Sequence, residues 1–273
     1  MFEVRKEQGK LSQTVSLLEV IYHATVRSVR RTHHNALIGL FVNMLQTMIL
    51  VAVFYIMFAV LGLRGAALRG DFLVYIMTGI FLYLTHTKTM GAVVSSEGPA
   101  SPMMHHAPMT TFIAITSSAL GALYIQVLSV AVVLYIYHIA FTPVHIDHMA
   151  GAFGMLMLAW FSGVGVGLIF LAIKPWFPQV ASVGSTIYAR ANMIASGKMF
   201  VANTLPFNLL ALFSWNPLFH IIDQARGFAF INYNPHYSNW QYPLIVSVVL
   251  IMLGFMGEAY TRKHVSLSWS ARR

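Results

Sequence analysis

Long apolar runs constrain this chain more than any other feature of its sequence. Most of them approach or exceed the roughly 20 residues that a helix needs to cross the hydrocarbon core of a bilayer. They lie at about 36–61, 72–94, 112–137, 149–173 and 243–256. Lipid offers no water to the backbone, so a spanning segment must satisfy its own N–H and C=O groups, as a helix does. The runs therefore predict an all-α, polytopic membrane protein.

The composition agrees with one membrane domain, which we assign to residues 36–257. Hydrophobic residues make up 58% of the chain and charged residues only 9%, against roughly 25% charged residues in a soluble domain. A transmembrane β-barrel is disfavoured, because its strands would alternate apolar and polar residues. The chain has no cysteine, which excludes disulfides, thiolate metal sites and a cysteine nucleophile.

Basic residues are concentrated at the two ends of the chain. Six of the 17 lysines and arginines lie in residues 1–35, and four lie in residues 258–273. Positive flanks are kept on the cytoplasmic side of a membrane, so both termini are predicted to be cytoplasmic and the number of crossings to be even. We predict six transmembrane helices. This distribution explains the net charge of +9 without nucleic acid as a partner.

The N-terminal segment contains an amphipathic stretch at 15–32. Its apolar positions at helical spacing are Leu18, Ile21, Tyr22, Thr25 and Val29. Three arginines gather at its C-terminal end. We interpret the stretch as an interfacial helix on the inner membrane surface, with its arginines near anionic headgroups. A cytosolic helix that merely precedes the first span is the alternative.

The segment 180–213 is less regular than the apolar runs. It is interrupted by Arg190, Asn192, Lys198 and Asn203, and it is broken by Pro206. Irregular backbone is tolerated at membrane depth only where protein or a cavity covers it. We therefore predict a shorter fifth span followed by re-entrant helices.

Two further predictions concern the residues after this segment. Asn216-Pro217 should separate two short helices, because proline lacks an N–H and pushes the preceding residue out of the helical region. Arg226 should pair with Asp223 or with a lipid headgroup, since an isolated charge at membrane depth is costly.

The polar residues disfavour both an enzyme and an ion-coupled carrier. Only eight acids are present, and none forms a spaced pair within a span. The sequence has no nucleophile elbow, and spans 1, 3 and 4 have no chain of ionisable groups. His145, Asp147 and His148 could bind a metal at a loop, although such a cluster is more often a solvated turn. A membrane-embedded glycan or lipid enzyme, the rival hypothesis, would depend on this cluster.

The chain also lacks a phosphate-binding loop, because Gly197-Lys198 is followed by Met199 and lacks the upstream glycine. Energy for uphill transport would have to come from another chain. The natural contact is the polar segment 95–111, in which methionines suit docking into a partner's groove. The candidate ATPase-coupling residues are Glu97, Pro102, Met103, Met104, His105, His106 and Met109. An ordinary inter-helix loop, as a structural scaffold protein would have, is the alternative.

The order of these parts resembles the ABC-2 family of transporter permeases, and most of all the inner-membrane subunit of capsule and O-antigen polysaccharide exporters. Three stretches carry the resemblance: the basic amphipathic helix, the segment 95–111 leading into the third span, and residues 194–230. In the last stretch the matching residues are Ser196-Gly197, Leu205-Pro206, Asn216-Pro217-Leu218, Asp223 and Arg226.

The resemblance implies a homodimer of six-span subunits in the bacterial inner membrane, paired with a cytosolic ABC ATPase. ATP and magnesium would bind to that partner, so this chain would need no cofactor and would perform no catalysis. A lipid-linked polysaccharide would pass outward between the two permeases, lined by spans 1 and 5. Periplasmic and outer-membrane export proteins are further candidate partners.

The same resemblance implies that the re-entrant region, residues 196–230, closes the outer end of the path. The candidate residues of this outer gate are Ser196, Gly197, Pro206, Trp215, Asn216, Pro217, Asp223 and Arg226. Aromatic residues in and after it would suit stacking on sugar rings, or would form an interfacial belt. They are Phe228, Phe230, Tyr233, Tyr237, Trp240 and Tyr242. Another amphiphilic cargo is the alternative to a polysaccharide.

Overall fold

The structure is a computed structural model that describes residues 10–32, 36–60, 62, 71–98 and 110–264. Within these ranges it has nine α-helices, one 3₁₀ helix (Ala202–Thr204) and no strand, which confirms the all-α prediction there. The α-helices are α1 (Lys10–Thr32), α2 (Ala36–Val60), α3 (Phe72–Val94), α4 (Thr111–Ala140), α5 (Met149–Ile173), α6 (Pro178–Ala195), α7 (Phe207–Phe213), α8 (Pro217–Ala229) and α9 (Gln241–His264).

Four helices are long and apolar enough to cross a membrane. They are Ile38–Val60 of α2, together with α4, α5 and α9. The chain is therefore a helical membrane protein, as predicted. α3 is 23 residues long but less apolar, because His86 and Lys88 lie in its second half. α6 has 18 residues and carries Arg190.

α3 and α5 form the centre of the bundle. α3 packs against α2, α4, α5, α6 and α8, while α5 packs against α3, α6, α8 and α9. The largest apolar cluster includes Phe54 of α2, Ile80 of α3 and Ile222 of α8. Because protein surrounds α3 on several sides, this helix can carry polar side chains that a lipid-facing helix could not.

His86 shows how α3 uses its polar side chains. The imidazole is 2% exposed. Its Nδ1 lies 2.8 Å from the hydroxyl of Ser162 on α5, and its Nε2 lies 3.1 Å from the hydroxyl of Tyr188 on α6. These two hydrogen bonds connect three helices, so His86 has a structural explanation.

The glycines of α5 permit close helix packing, which is the usual role of small residues between membrane helices. A Cβ added at Gly163 would lie 2.5 Å from the carbonyl oxygen of His86. A Cβ at Gly167 would lie 2.8 Å from the Cβ of Val93. The α3 backbone therefore approaches α5 more closely than any side chain at these positions would allow.

We expect Gly163→Ala to destabilise the bundle by about 1–3 kcal/mol, because the added methyl group meets a backbone oxygen that cannot rotate away. Gly154→Ala is the matched control on the same helix, since a Cβ there meets nothing within 4 Å. Alanine at an unhindered helical position should be neutral or slightly stabilising. Thermal unfolding of both purified variants checks the prediction, and equal melting temperatures would contradict it.

The bundle has two ends that we name by their contacts. At the Asp71 end, Asp71 precedes α3 and accepts hydrogen bonds from Tyr137 and Thr142, where α4 finishes. At the Lys174 end, the Nζ of Lys174 donates to the carbonyl of Val94 at 2.9 Å, where α5 and α3 finish. The chain after α6 lies at the Asp71 end, because the N–H of His148 donates to the carbonyl of Phe228 in α8 at 2.8 Å.

α1 has the single apolar face that the sequence predicts, and only part of this face is buried. Its apolar positions Leu18, Ile21, Tyr22, Thr25 and Val29 lie within about 100° of one another around the helix. Ile21, Thr25 and Val29 are half-buried, and α1 packs against α4. Leu18 and Tyr22 are at least 60% exposed. An apolar face that the bundle covers only in part suits an interfacial position at a membrane.

Candidate functional site

The candidate site is the connection between α6 and α9 at the Asp71 end. α6 stops at Ala195, and the chain then makes a turn, a 3₁₀ helix and the two short helices α7 and α8. The break predicted at Asn216-Pro217 is present, since α7 ends before it and α8 begins at Pro217. Pro206 stands at the start of α7 and is exposed.

Asn216 fixes the start of α8 to the end of α6. Its Oδ1 accepts from the N–H of Leu218 at 3.1 Å and so caps α8. Its Nδ2 donates to Asn192 Oδ1 at 2.8 Å and to the carbonyl of Ala195 at 3.0 Å. Asn216 is only 3% exposed. One buried amide therefore determines how the two helices meet.

Ser196 and Gly197 form the turn that follows α6. Gly197 has φ of +71°, a left-handed conformation that favours glycine. A Cβ there would also lie 2.6 Å from the Phe219 ring. Ser196 is fully buried, and its hydroxyl has no hydrogen-bond partner in the described part of the chain. The turn is thus closely packed against α8.

Arg226 holds this turn in place. Its side chain is 1% exposed. Nη1 donates to the carbonyls of Gly197 at 3.0 Å and Phe200 at 2.6 Å, and Nη2 donates to the carbonyl of Lys198 at 2.7 Å. The guanidinium also lies 4.3 Å from the centre of the Tyr75 ring on α3. A planar cation with several donors suits such a cluster of carbonyls.

Both predicted partners of Arg226, Asp223 and a lipid headgroup, are wrong, because the buried guanidinium bonds to backbone carbonyls. No ion pair is present between the described residues Arg226 and Asp223. Asp223 accepts from the Tyr233 hydroxyl at 2.5 Å and the Ser238 hydroxyl at 2.7 Å. Burial and the nearby Asp223 carboxylate raise the pKa of Tyr233. The carbonyls of the turn replace the carboxylate as partners of Arg226, and Asp223 instead holds the loop after α8.

Lys198 was not among the candidate site residues, although it lies at the centre of the region. It is 3% exposed, and its ammonium has no hydrogen-bond partner in the described residues. Nζ lies 4.5 Å from the centre of the Phe54 ring and 4.0 Å from that of Tyr83. Aromatic faces attract a cation, and so offset part of its desolvation. In the sequence, only a single lysine after a glycine marked this position, and that pattern does not indicate burial against aromatic rings.

α6 presents an exposed apolar stripe that contains a charge. Val180, Val183, Ile187 and Ile194 recur at helical spacing and are 57–64% exposed. Arg190 lies in the same row and is also exposed. No hydrogen bond or ion pair involves its guanidinium in the described part of the chain. Lipid is a poor environment for this face.

The described residues on either side of the candidate coupling segment, Glu97 and Thr110, lie at the other end of the molecule. Glu97 follows α3 and is half-buried. Pro102, Met103, Met104, His105, His106 and Met109 lie outside the described residues. The hydroxyl of Thr110 accepts from the N–H of Ile113 at 3.3 Å and caps α4. Segment 95–111 therefore connects helix ends at the Lys174 end, opposite the candidate gate.

The metal alternative gains no support from the structure. His148 Nε2 lies 3.7 Å from Asp147 Oδ2, but no group of three potential ligands is present in the described residues. The backbone N–H groups of both residues bond to α8, at the carbonyls of Phe228 and Ala229. This cluster is best explained as a turn that fastens the α4–α5 connection to α8.

The aromatic candidates divide into packed and exposed residues. Tyr233 bonds to Asp223, and Phe228 contacts Gly151. The Tyr242 hydroxyl donates to the carbonyl of Trp215 at 2.7 Å. Trp215, Tyr237 and Trp240 remain 67%, 55% and 46% exposed. These three form the aromatic surface at the Asp71 end.

Comparison with known proteins adds no assignment. No protein-family model matches the chain. No curated protein matches it significantly either.

Proposed function

We propose that this chain is the permease subunit of an ATP-driven ABC-2 exporter that moves a lipid-linked cell-surface polysaccharide. The observation that carries the proposal is the exposed stripe of α6, with the unpaired Arg190 among apolar residues. A charged group at this position requires water or protein rather than lipid. In a homodimer, the stripes of two subunits would face a shared path across the membrane.

Six crossings follow if α3 and α6 cross the membrane together with the four long apolar helices. The basic residues Arg262 and Lys263 at the end of α9 favour a cytoplasmic Lys174 end. Segment 95–111 would then face the cytoplasm, where a separate ATPase could dock. The connection from 196 to 240 would lie at the outer end, where Arg226 and Asp223 keep it rigid.

The cargo class is supported by the aromatic surface at the proposed outer end. Trp215, Tyr237 and Trp240 are exposed there. Aromatic rings stack well on sugar rings, and they also suit a membrane–water interface. A polysaccharide on a lipid carrier combines both environments.

The proposal predicts that a disulfide across the α6 stripe stops export. The wild-type chain has no cysteine, so a single Ile187→Cys substitution gives one defined thiol. We expect oxidation to yield a disulfide-linked dimer in membranes and to remove polysaccharide from the cell surface. Reductant should restore export, because the bond only fixes two faces that must move apart. Gel electrophoresis and surface-polysaccharide staining measure the two effects.

Ile245→Cys on α9 is the matched control, since Ile245 is 63% exposed and Ile187 is 61% exposed. A lipid-facing thiol should neither cross-link nor react with a membrane-impermeant maleimide. Ile187→Cys should do both, in keeping with a water-filled path between two copies. Identical behaviour of the two variants would refute the proposed path.

A further inference from the structure

A second polar site lies away from the candidate gate, in the half of the bundle near the Lys174 end. It is a partly open cavity of about 450 Å³ between α1, α2, α3 and α4. Polar residues in its lining include Ser28, Asn43, Gln46, Lys88, Ser118 and Gln126. Lys88 is six residues before the end of α3, or about 9 Å along the helix. α2 and α4, which also line the cavity, are long and apolar enough to cross a membrane, so the cavity lies at membrane depth, close to one surface.

Lys88 gives this cavity an uncompensated positive charge. Among the described residues, it is the only charged one in the lining. Its Nζ donates to Gln46 Oε1 at 2.6 Å, and this neutral oxygen is its only hydrogen-bond partner in the described residues. An ammonium at membrane depth is costly without a counter-ion. The cavity thus favours an anion.

Further hydrogen-bond donors line the same cavity. Ser28, Ser118 and the amide nitrogen of Gln46 make no hydrogen bond within the described part of the chain. Asn43, in contrast, is already held by Ser129 at 2.8 Å. A positive charge with unused donors on three other positions matches the several acceptor oxygens of a phosphate group.

We propose that this cavity binds the phosphate group of an anionic amphiphile. Lys88 would supply the charge, while Ser28, Gln46 and Ser118 would donate to the phosphate oxygens. The lining also contains apolar residues, including Val29, Val42 and Ile125, beside which an acyl or prenyl chain fits. The site depends on the membrane location of the chain and not on the proposed transport function.

The test uses the purified full-length chain and three probes. The first is a short-chain phosphatidylglycerol, the second a diacylglycerol with the same chains, and the third inorganic phosphate. Thermal unfolding at increasing probe concentration reports binding, because a ligand that binds only the folded protein raises its melting temperature. We expect phosphatidylglycerol to stabilise the protein and diacylglycerol to have no effect. Stabilisation by inorganic phosphate at equal concentration would contradict an amphiphile site and indicate a soluble anion.

Two variants locate the effect in the cavity. Lys88→Gln should weaken phosphatidylglycerol binding by about tenfold or more, since it removes a charge-assisted hydrogen bond. Gly91→Leu keeps the charge but fills the space, because a Cβ at Gly91 meets nothing within 4 Å. It should therefore weaken binding as well, even if Lys88→Gln fails to fold.

Lys263→Gln is the control for the loss of one positive charge, since Lys263 is exposed at the end of α9. It should bind phosphatidylglycerol as the wild type does. If Gly91→Leu also binds like the wild type, or if Lys263→Gln loses affinity as strongly as Lys88→Gln, the lipid binds elsewhere and the proposed site is wrong.

Discussion

Replacement of Arg226 by alanine should abolish export while the chain still inserts into the membrane. The guanidinium is the shared donor for the carbonyls of Gly197, Lys198 and Phe200. Each hydrogen bond from a charged group contributes about 1.5–3 kcal/mol, and the three carbonyls would lose this donor. The turn after α6 would lose its main support, whereas the long apolar helices that direct insertion are unchanged.

The measurements are thermal unfolding of purified protein and surface polysaccharide at matched protein level in membranes. Arg226→Lys keeps the charge but not the planar set of donors, so it should recover only part of the stability. Arg262→Ala removes an exposed arginine at the other end of the bundle and should change neither quantity. Normal stability and normal export from Arg226→Ala would show that the turn needs no such support.

The long helices α2, α3, α4 and α5 could be predicted from the sequence, because each corresponds to a long apolar run. The predicted run 72–94 coincides with α3, and 149–173 coincides with α5. The break at Asn216-Pro217 was also predictable, since the geometry of proline and an asparagine cap act locally. The number of helices that cross the membrane could not be predicted from apolar composition alone. α3 is surrounded by protein, so it can carry Lys88 and is less apolar than the other long helices.

The partners of buried charges could not be predicted, because they depend on contacts between distant segments. The cost of an isolated charge at membrane depth predicted Asp223 or a lipid headgroup as the partner of Arg226. The folded chain instead brings the carbonyls of the turn to Arg226 and the hydroxyls of Tyr233 and Ser238 to Asp223. The aromatic contacts of Lys198 come from two other helices, which no local pattern reveals. The partial burial of the apolar face of α1 likewise reflects packing against α4.

Substitution of both Met103 and Met104 by aspartate should separate the permease from its ATPase. In the proposed function, segment 95–111 docks into a groove of the ATPase, because this chain has no nucleotide-binding loop. Burial of each methionine contributes about 1.5–3 kcal/mol before ordering costs, so loss of two would weaken association by about tenfold or more. Affinity purification should then recover less ATPase, and surface polysaccharide should disappear.

Insertion should be unaffected by the double aspartate variant, because segment 95–111 connects helix ends and is too polar to lie in lipid. Replacement of the same two methionines by leucine is the control, since it keeps apolar groups of similar size. That variant should retain both ATPase binding and export. If the aspartate variant also retains them, the segment makes no essential contact with an ATPase. The Ile187 disulfide would then test the path between two copies independently, because it concerns the α6 stripe and requires no docking at this segment.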